Sequence, residues 1–147
     1  MKDYIVDASV VSKWLLTESD SDRARLLIAA DCRLRAPDLI APEFTSVMLK
    51  RVVRRELSIQ EGNELLRRFI TDYLDVRVRV VQSRLVAEYA LRIAHSEKQS
   101  VYDSLYVALA VQARCQLITA DDRLANAIRD PQLRKHVIAL SDPRLEL

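Results

Sequence analysis

Short apolar runs and longer helical stripes take turns along this 147-residue chain, and that alternation limits the fold more than any single residue does. Tyr4-Ile5-Val6 is one run, stopped by Asp7, and Leu34 to Ala36 is a second, ended by Pro37. Val76, Val78 and Val80 alternate with Arg77 and Arg79, as in a half-exposed strand. Leu117-Ile118-Thr119 and Val137 to Leu140 complete the set. Between them, apolar residues recur at helical spacing. Ala8 to Leu16 is one helix and Ser21 to Ala30 a second, with Asp22, Arg23 and Arg25 on its wet side. Pro42 starts a third, running through Phe44, Val47, Met48, Val52 and Val53. Ser58 and Glu61 have the capping-box arrangement and open a helix carrying Leu65, Leu66, Phe69 and Ile70. Leu85 to His95 follows, then the most apolar helix, Ser104 to Ala113, opened by Asp103, and then Asp122 to Ile128. Strands separated by helices predict a parallel sheet covered on both faces, an α/β sandwich of three layers. Without a repeat, low-complexity tract or linker, residues 1–147 read as one domain.

Composition removes several classes of function. Lys and Arg number 23 against 21 Asp and Glu, a net charge of +2. That excludes nucleic-acid binding by bulk charge and leaves only local patches. The one glycine, Gly62, rules out a Gly-rich phosphate cradle, which needs several at fixed spacing. Cys32 and Cys115 have no CxxC partner, so they read as small hydrophobes in a reducing compartment rather than as a zinc cage. The N-terminal apolar piece is too short for a signal peptide, and no uncharged run approaches the ~18 residues of a membrane span. The expectation is a cytoplasmic protein without a membrane partner.

The informative charges sit at element ends. Asp7 follows the first strand and Asp121 the fourth, each before a helix, while Glu43 and Asp103 lie at helix starts. In an open parallel sheet these positions share the edge beyond the strand C-termini, where ligands bind at a reversal of strand order. Four acids converging there would raise one another's pKa values unless a cation neutralised them. An all-oxygen set suits Mg2+ or Mn2+ rather than zinc. Such ions hold a phosphodiester, activate water and stabilise the leaving oxygen. Ser9 and Thr119, each two positions from an acid, are placed to support it. A second reading stands beside this one: aspartate is a good helix cap, so the acids of a non-catalytic RNA- or protein-binding module would serve only their helices. A phosphatase with Asp7 as nucleophile is disfavoured, because position 9 is Ser where a second acid would be needed.

Ile5-Val6-Asp7-Ala8-Ser9, Ala41-Pro42-Glu43-Phe44-Thr45-Ser46, Val101-Tyr102-Asp103-Ser104-Leu105-Tyr106-Val107-Ala108-Leu109-Ala110 and Leu117-Ile118-Thr119-Ala120-Asp121 resemble, in order and spacing, the PIN-domain signature. The likeness is to VapC-type toxin ribonucleases of toxin–antitoxin pairs, and it spans about Lys2 to Leu140. It implies a five-stranded parallel sheet and an Mg2+- or Mn2+-dependent endoribonuclease that hydrolyses RNA with activated water. It puts Asp7, Glu43, Asp103 and Asp121 in the metal-binding, catalytic positions, with Ser9 and Thr119 in support. It also implies a homodimer and a cognate antitoxin protein. Ser46 departs from the family's frequent Asn three residues after the Glu, though serine still hydrogen-bonds. Asp122 is an extra supporting acid, either a cap of the following helix or a ligand to a second ion through water.

Lys50, Arg51, Arg54 and Arg55 cluster at one helix end, with Arg67 and Arg68 on the next. They read either as a solvated face or as contacts, Arg51, Arg54 and Arg55 to RNA phosphates or an acidic antitoxin segment. Trp14 reads as core or dimer contact, and His95 and His136 as isolated residues outside the chemistry.

Overall fold

The computed structural model describes residues 1–147. Five strands form one parallel sheet: β1 (Lys2–Val6), β2 (Cys32–Pro37), β3 (Val78–Val81), β4 (Gln116–Thr119) and β5 (Val137–Ala139), in the order β3-β2-β1-β4-β5. The central strand β1 pairs with β2 from Lys2↔Cys32 to Ile5↔Arg35 and with β4 through Val6↔Ile118. Tyr4, Ile5 and Val6 are all buried, as a strand covered on both faces requires. From β1 the chain steps outward to β2 and β3, then returns to the other side of β1 for β4 and β5. The reversal therefore falls between β1 and β4.

Right-handed crossovers place the helices of the first half on one face and those of the second half on the other. The first group is α1 (Ala8–Leu15), α2 (Ser21–Ala29), α3 (Ile40–Val53) and α4 (Ile59–Arg68). The second is α5 (Ala87–Glu97), α6 (Val101–Gln112), α7 (Asp122–Ala127) and α8 (Pro131–Arg134). A core of 35 buried side chains joins the layers, and α6 is buried without interruption from Ser104 to Ala110. Both halves of the Ser58–Glu61 capping box are present at the start of α4. Gly62 lets α4 approach α3 closely: a Cβ there would stand 3.1 Å from a Val52 methyl.

Several boundaries differ from the sequence reading, each for a local reason. Helix α3 starts at Ile40, so Pro42 occupies its third position, where its missing N–H costs no intrahelical bond. Helix α6 starts at Val101, because Ser100 accepts a hydrogen bond from the Asp103 N–H at 3.0 Å and is the cap. Strand β3 begins only at Val78. Val76 is exposed, and Arg77 turns inward, where its guanidinium donates to the carbonyls of Leu27, Ile28, Ala30 and Cys32. Arg23, read as a wet-face residue, instead holds the C-terminal segment through the carbonyls of Leu140, Asp142 and Leu145. Trp14 is core: its indole N–H donates to Ala24 O at 2.9 Å. No helix is long and apolar enough to cross a membrane.

Candidate active site

The end of β1 and the end of β4 are stitched together by two hydroxyls. Ser9, in the first turn of α1, donates from Oγ to Asp7 Oδ1 and accepts from the Ala120 N–H at 2.9 Å. Thr119 Oγ1, 3.5 Å from Ser9 Oγ, accepts from the Asp121 N–H at 3.0 Å. Asp7 and Asp121 are thereby fixed on adjacent strands at the reversal point, where an open parallel sheet leaves a crevice.

Asp7 is only 8% exposed, and its Oδ1 accepts the N–H groups of Ser9 and Val10 at 3.0 and 3.2 Å. Burial pushes its carboxyl above the ordinary range, and hydrogen bonds, led by that from Ser9, only partly oppose this. Glu43 enters from α3. Its Oε1 is buried without a hydrogen-bond partner, and so is the hydroxyl of Tyr106 from α6. Burial raises the Glu43 carboxyl, the nearby Tyr106 hydroxyl draws it back, and the charges of Asp7 and Asp103 push it up again. The two oxygens thus lie close enough to perturb each other without completing a bond of ordinary geometry. Burial drives the Tyr106 phenol so far up that it is a neutral group throughout the physiological range.

Asp103 and Asp121 are joined by one cation. Arg123 Nη2 stands 3.3 Å from Asp103 Oδ2 and 3.3 Å from Asp121 Oδ2. Its Nη1 reaches Gln99 Oε1 at 3.4 Å. No three acidic side chains meet at the spacing of a single ion's ligands. The four acids share one edge and one electrostatic environment, but they do not form a closed ligand sphere. Like charges spread apart, and the cation within reach inserts between two of them.

The structure separates the two readings of the acids. Asp7 caps α1, and Asp121 caps α7 through the N–H groups of Arg123 and Leu124. Asp103 is not a cap, since Ser100 holds that place, and Glu43 lies inside α3. Capping therefore accounts for two of the four. The assembled groups are carboxylates and hydroxyls, and the orphaned Glu43 Oε1 is an acceptor waiting for a cation or donor. That chemistry suits a hard divalent ion, which Asp7, Glu43, Asp103 and Asp121 would have to draw together to hold.

Other expected site residues fall elsewhere. Ser46 is exposed, with no hydrogen bond to an acid. Asp122 is exposed at the first position of α7 and faces Ser141 Oγ at 3.4 Å, away from Asp121's partners. The Arg51 guanidinium is engaged by Glu18 and by Glu56, so it is not a free phosphate contact. Arg54 and Arg55 are exposed, but Arg54 caps the end of α3, about 16 Å along its axis from Glu43 at eleven residues of helical rise, and Arg55 follows it. Sequence reasoning missed Tyr106 and Arg123. The first is signalled by its place one helical turn after Asp103, and the second by its place two residues after Asp121.

Comparison with known proteins agrees with this geometry. The family model described as the PIN domain matches residues 4–129. A VapC ribonuclease of Mycobacterium bovis is 33% identical over 122 residues, covering 83% of this chain and 88% of the relative. Among solved structures, PAE2754 from Pyrobaculum aerophilum superposes with a TM-score of 0.68 at 18% identity, over 95% of this chain and 91% of that one. VapBC2 from Rickettsia felis, bound to a DNA fragment from its promoter, gives 0.62 at 11% identity, over 93% and 98%. These two likenesses show a shared fold. With its sheet order, its edge of acids and this identity together, the chain belongs to the PIN-domain family, on the branch of the VapC ribonucleases.

Proposed function

We propose that this protein is an Mg2+- or Mn2+-dependent endoribonuclease and the toxin of a VapBC-type toxin–antitoxin pair, acting in the cytoplasm. The observation that carries the reading is that Asp7, Glu43, Asp103 and Asp121 come from four separate elements to the edge at the β1/β4 reversal, where Arg123 pairs only with Asp103 and Asp121. A divalent ion bound there supplies charge neutralisation, activation of water and stabilisation of the leaving oxygen. The chain's own groups do the rest. Asp7, held by Ser9 and by the start of α1, is a fixed anchor. Glu43 offers an unpaired oxygen beside the neutral Tyr106 hydroxyl. Asp103 and Asp121, more open than Asp7, are the candidates to accept the proton of the attacking water. In-line attack at phosphorus with departure of the 3′-oxygen leaves 5′-phosphate and 3′-hydroxyl ends. Single-stranded loops are the more accessible target, because their backbone bends into a crevice.

The partner reading rests on α3. Leu49 and Val53, one turn apart, are 59% and 72% exposed, beside Arg54 and Arg55. This pairing of apolar and basic groups suits an antitoxin segment that combines apolar and acidic residues, and a homodimer is the expected state of the toxin. The test is cleavage of RNA with Mn2+ and with excess EDTA. Cleavage confined to the Mn2+ reaction, giving 5′-phosphate ends, is expected. Activity that persists in EDTA would overturn the metal reading.

A further inference from the structure

The basic cluster of the sequence lies at the far end of α3, and the structure adds two unpaired cations on either side of a cleft that Gln99 connects to the acid edge. A polar cleft of about 330 Å3 lies between the α5–α6 turn and the end of α7, lined by Ser96, Glu97, Lys98, Gln99, Asn126 and Arg129, among others. Lys98 and Arg129 are both exposed, and neither forms an ion pair or a side-chain hydrogen bond. Gln99 links the cleft to the acid edge through its bond to Arg123, which in turn touches Asp103 and Asp121. Helix α7 is short, about 9 Å from end to end, with Asp121 capping its start and the cleft at its end.

The cleft is also held rigid. Lys98 ends α5 in the left-handed conformation, with φ 54°, and its N–H is bonded to Ala94 O. The buried Glu97 carboxylate accepts the N–H groups of Arg129 and Asp130 at 2.8 and 3.0 Å. Both oxygens of that acid face backbone, so the groups presented to solvent are the two cations and the amides. In the basic cluster Arg51 is committed to Glu18 and Glu56, and Arg67 to Glu64, while the uncommitted Arg54 and Arg55 sit at the far end of α3.

We infer that Lys98 and Arg129, with Gln99 between them and Arg123, form a subsite for the phosphates of single-stranded RNA flanking the scissile position. The identity of the ligand rests on the ribonuclease reading, whereas the location of the subsite rests on the cleft. Phosphate contacts of this kind set register and affinity without reading sequence.

The test is fluorescence anisotropy of a labelled single-stranded RNA oligonucleotide with the intact protein in EDTA, across a salt series. Each single-strand phosphate contact contributes about 0.7 to the slope of log K against log salt. Lys98→Gln with Arg129→Gln should therefore lower that slope by about 1.4 while the melting temperature holds. An unchanged slope in a folded double variant would overturn the proposal. So would no RNA binding by the unaltered protein, or a slope loss that appears only in Arg54→Ala with Arg55→Ala. Equal weakening toward a poly-glutamate peptide of matched charge would mark the cleft as a dock for acidic protein and also overturn it. Binding is read without cleavage. Failure to cut RNA in Mn2+ would thus remove the nuclease reading alone, whereas an unchanged slope beside normal cleavage would remove the subsite alone.

Discussion

At the edge where the strands begin, Asp3 of β1 lies between two arginines of β2, 2.6 Å from Arg33 and 3.1 Å from Arg35. Lys2 reaches Glu146 at 3.2 Å, and Arg144 reaches Asp142 at 2.6 Å. At the edge where the strands end, four acids have one paired cation among them, Arg123, which reaches Asp103 and Asp121 and leaves Asp7 and Glu43 without an ion pair. The electrostatic consequences run in opposite directions. The guanidinium of Arg144 holds the Asp142 carboxyl down at about 2, whereas burial lifts Asp7 and burial with like charge lifts Glu43. One edge has its charges matched and is finished as structure. The other holds charge that folding alone does not favour, an excess that the proposed divalent ion would neutralise.

The contrast can be broken most directly by Asp7→Asn. Asparagine retains an oxygen for the Ser9 and Val10 N–H groups but is a poor ligand for a hard ion. RNA cleavage should fall to background while the melting temperature stays level or rises. Lost activity together with a collapsed melting temperature would return Asp7 to the capping reading. The next effect in size is stabilisation by metal. Mn2+ at a hundredfold excess over its Kd should stabilise the native protein by about 2.7 kcal/mol, read as a shift in thermal unfolding. The shift should disappear in Asp7→Asn and survive in Asp3→Ala.

Asp3→Ala addresses the matched edge. It leaves Arg33 and the half-buried Arg35 without their carboxylate and should cost on the order of 1 kcal/mol in denaturant unfolding, with cleavage unchanged. A loss of cleavage would show that the two edges are not independent. The smallest effect is the pH dependence of stability. Asp7 and Glu43 have folded pKa values above their ordinary 3.8 and 4.5, so the folded state binds more protons than the unfolded one between those values and the raised ones. Their contribution to stability is complete below the ordinary values and is lost as pH rises through the folded ones. Without metal, acidification from neutral into that window should stabilise the protein, and Asp7→Asn should flatten the slope. A slope of opposite sign, once carried by these two groups, would contradict the burial of Asp7.

Where local chemistry sets the outcome, the residues are readable in the chain. Tyr4 to Val6 is apolar without a break and becomes the central strand, and Ser58 with Glu61 closes its capping box. The errors fall where a partner outside the apolar pattern decides, near or far along the chain. Arg77 looks like the exposed half of an alternating strand, but four carbonyls from the α2–β2 connection claim its guanidinium. Asp103 looks like a helix start, but Ser100 three residues earlier takes the cap. Arg51 looks like a free contact until the loop after α1 brings Glu18 to it.

The order of strands and helices, the four acids and the family they announce follow from the chain alone, because periodicity and end-of-element chemistry are local. Which strands become neighbours, that Arg123 and not another arginine joins Asp103 to Asp121, and that free cations line the Lys98–Arg129 cleft were decided only by tertiary structure. Those outcomes depend on packing between segments twenty or more residues apart, and a charge's partner is set by distance in space rather than by distance along the chain.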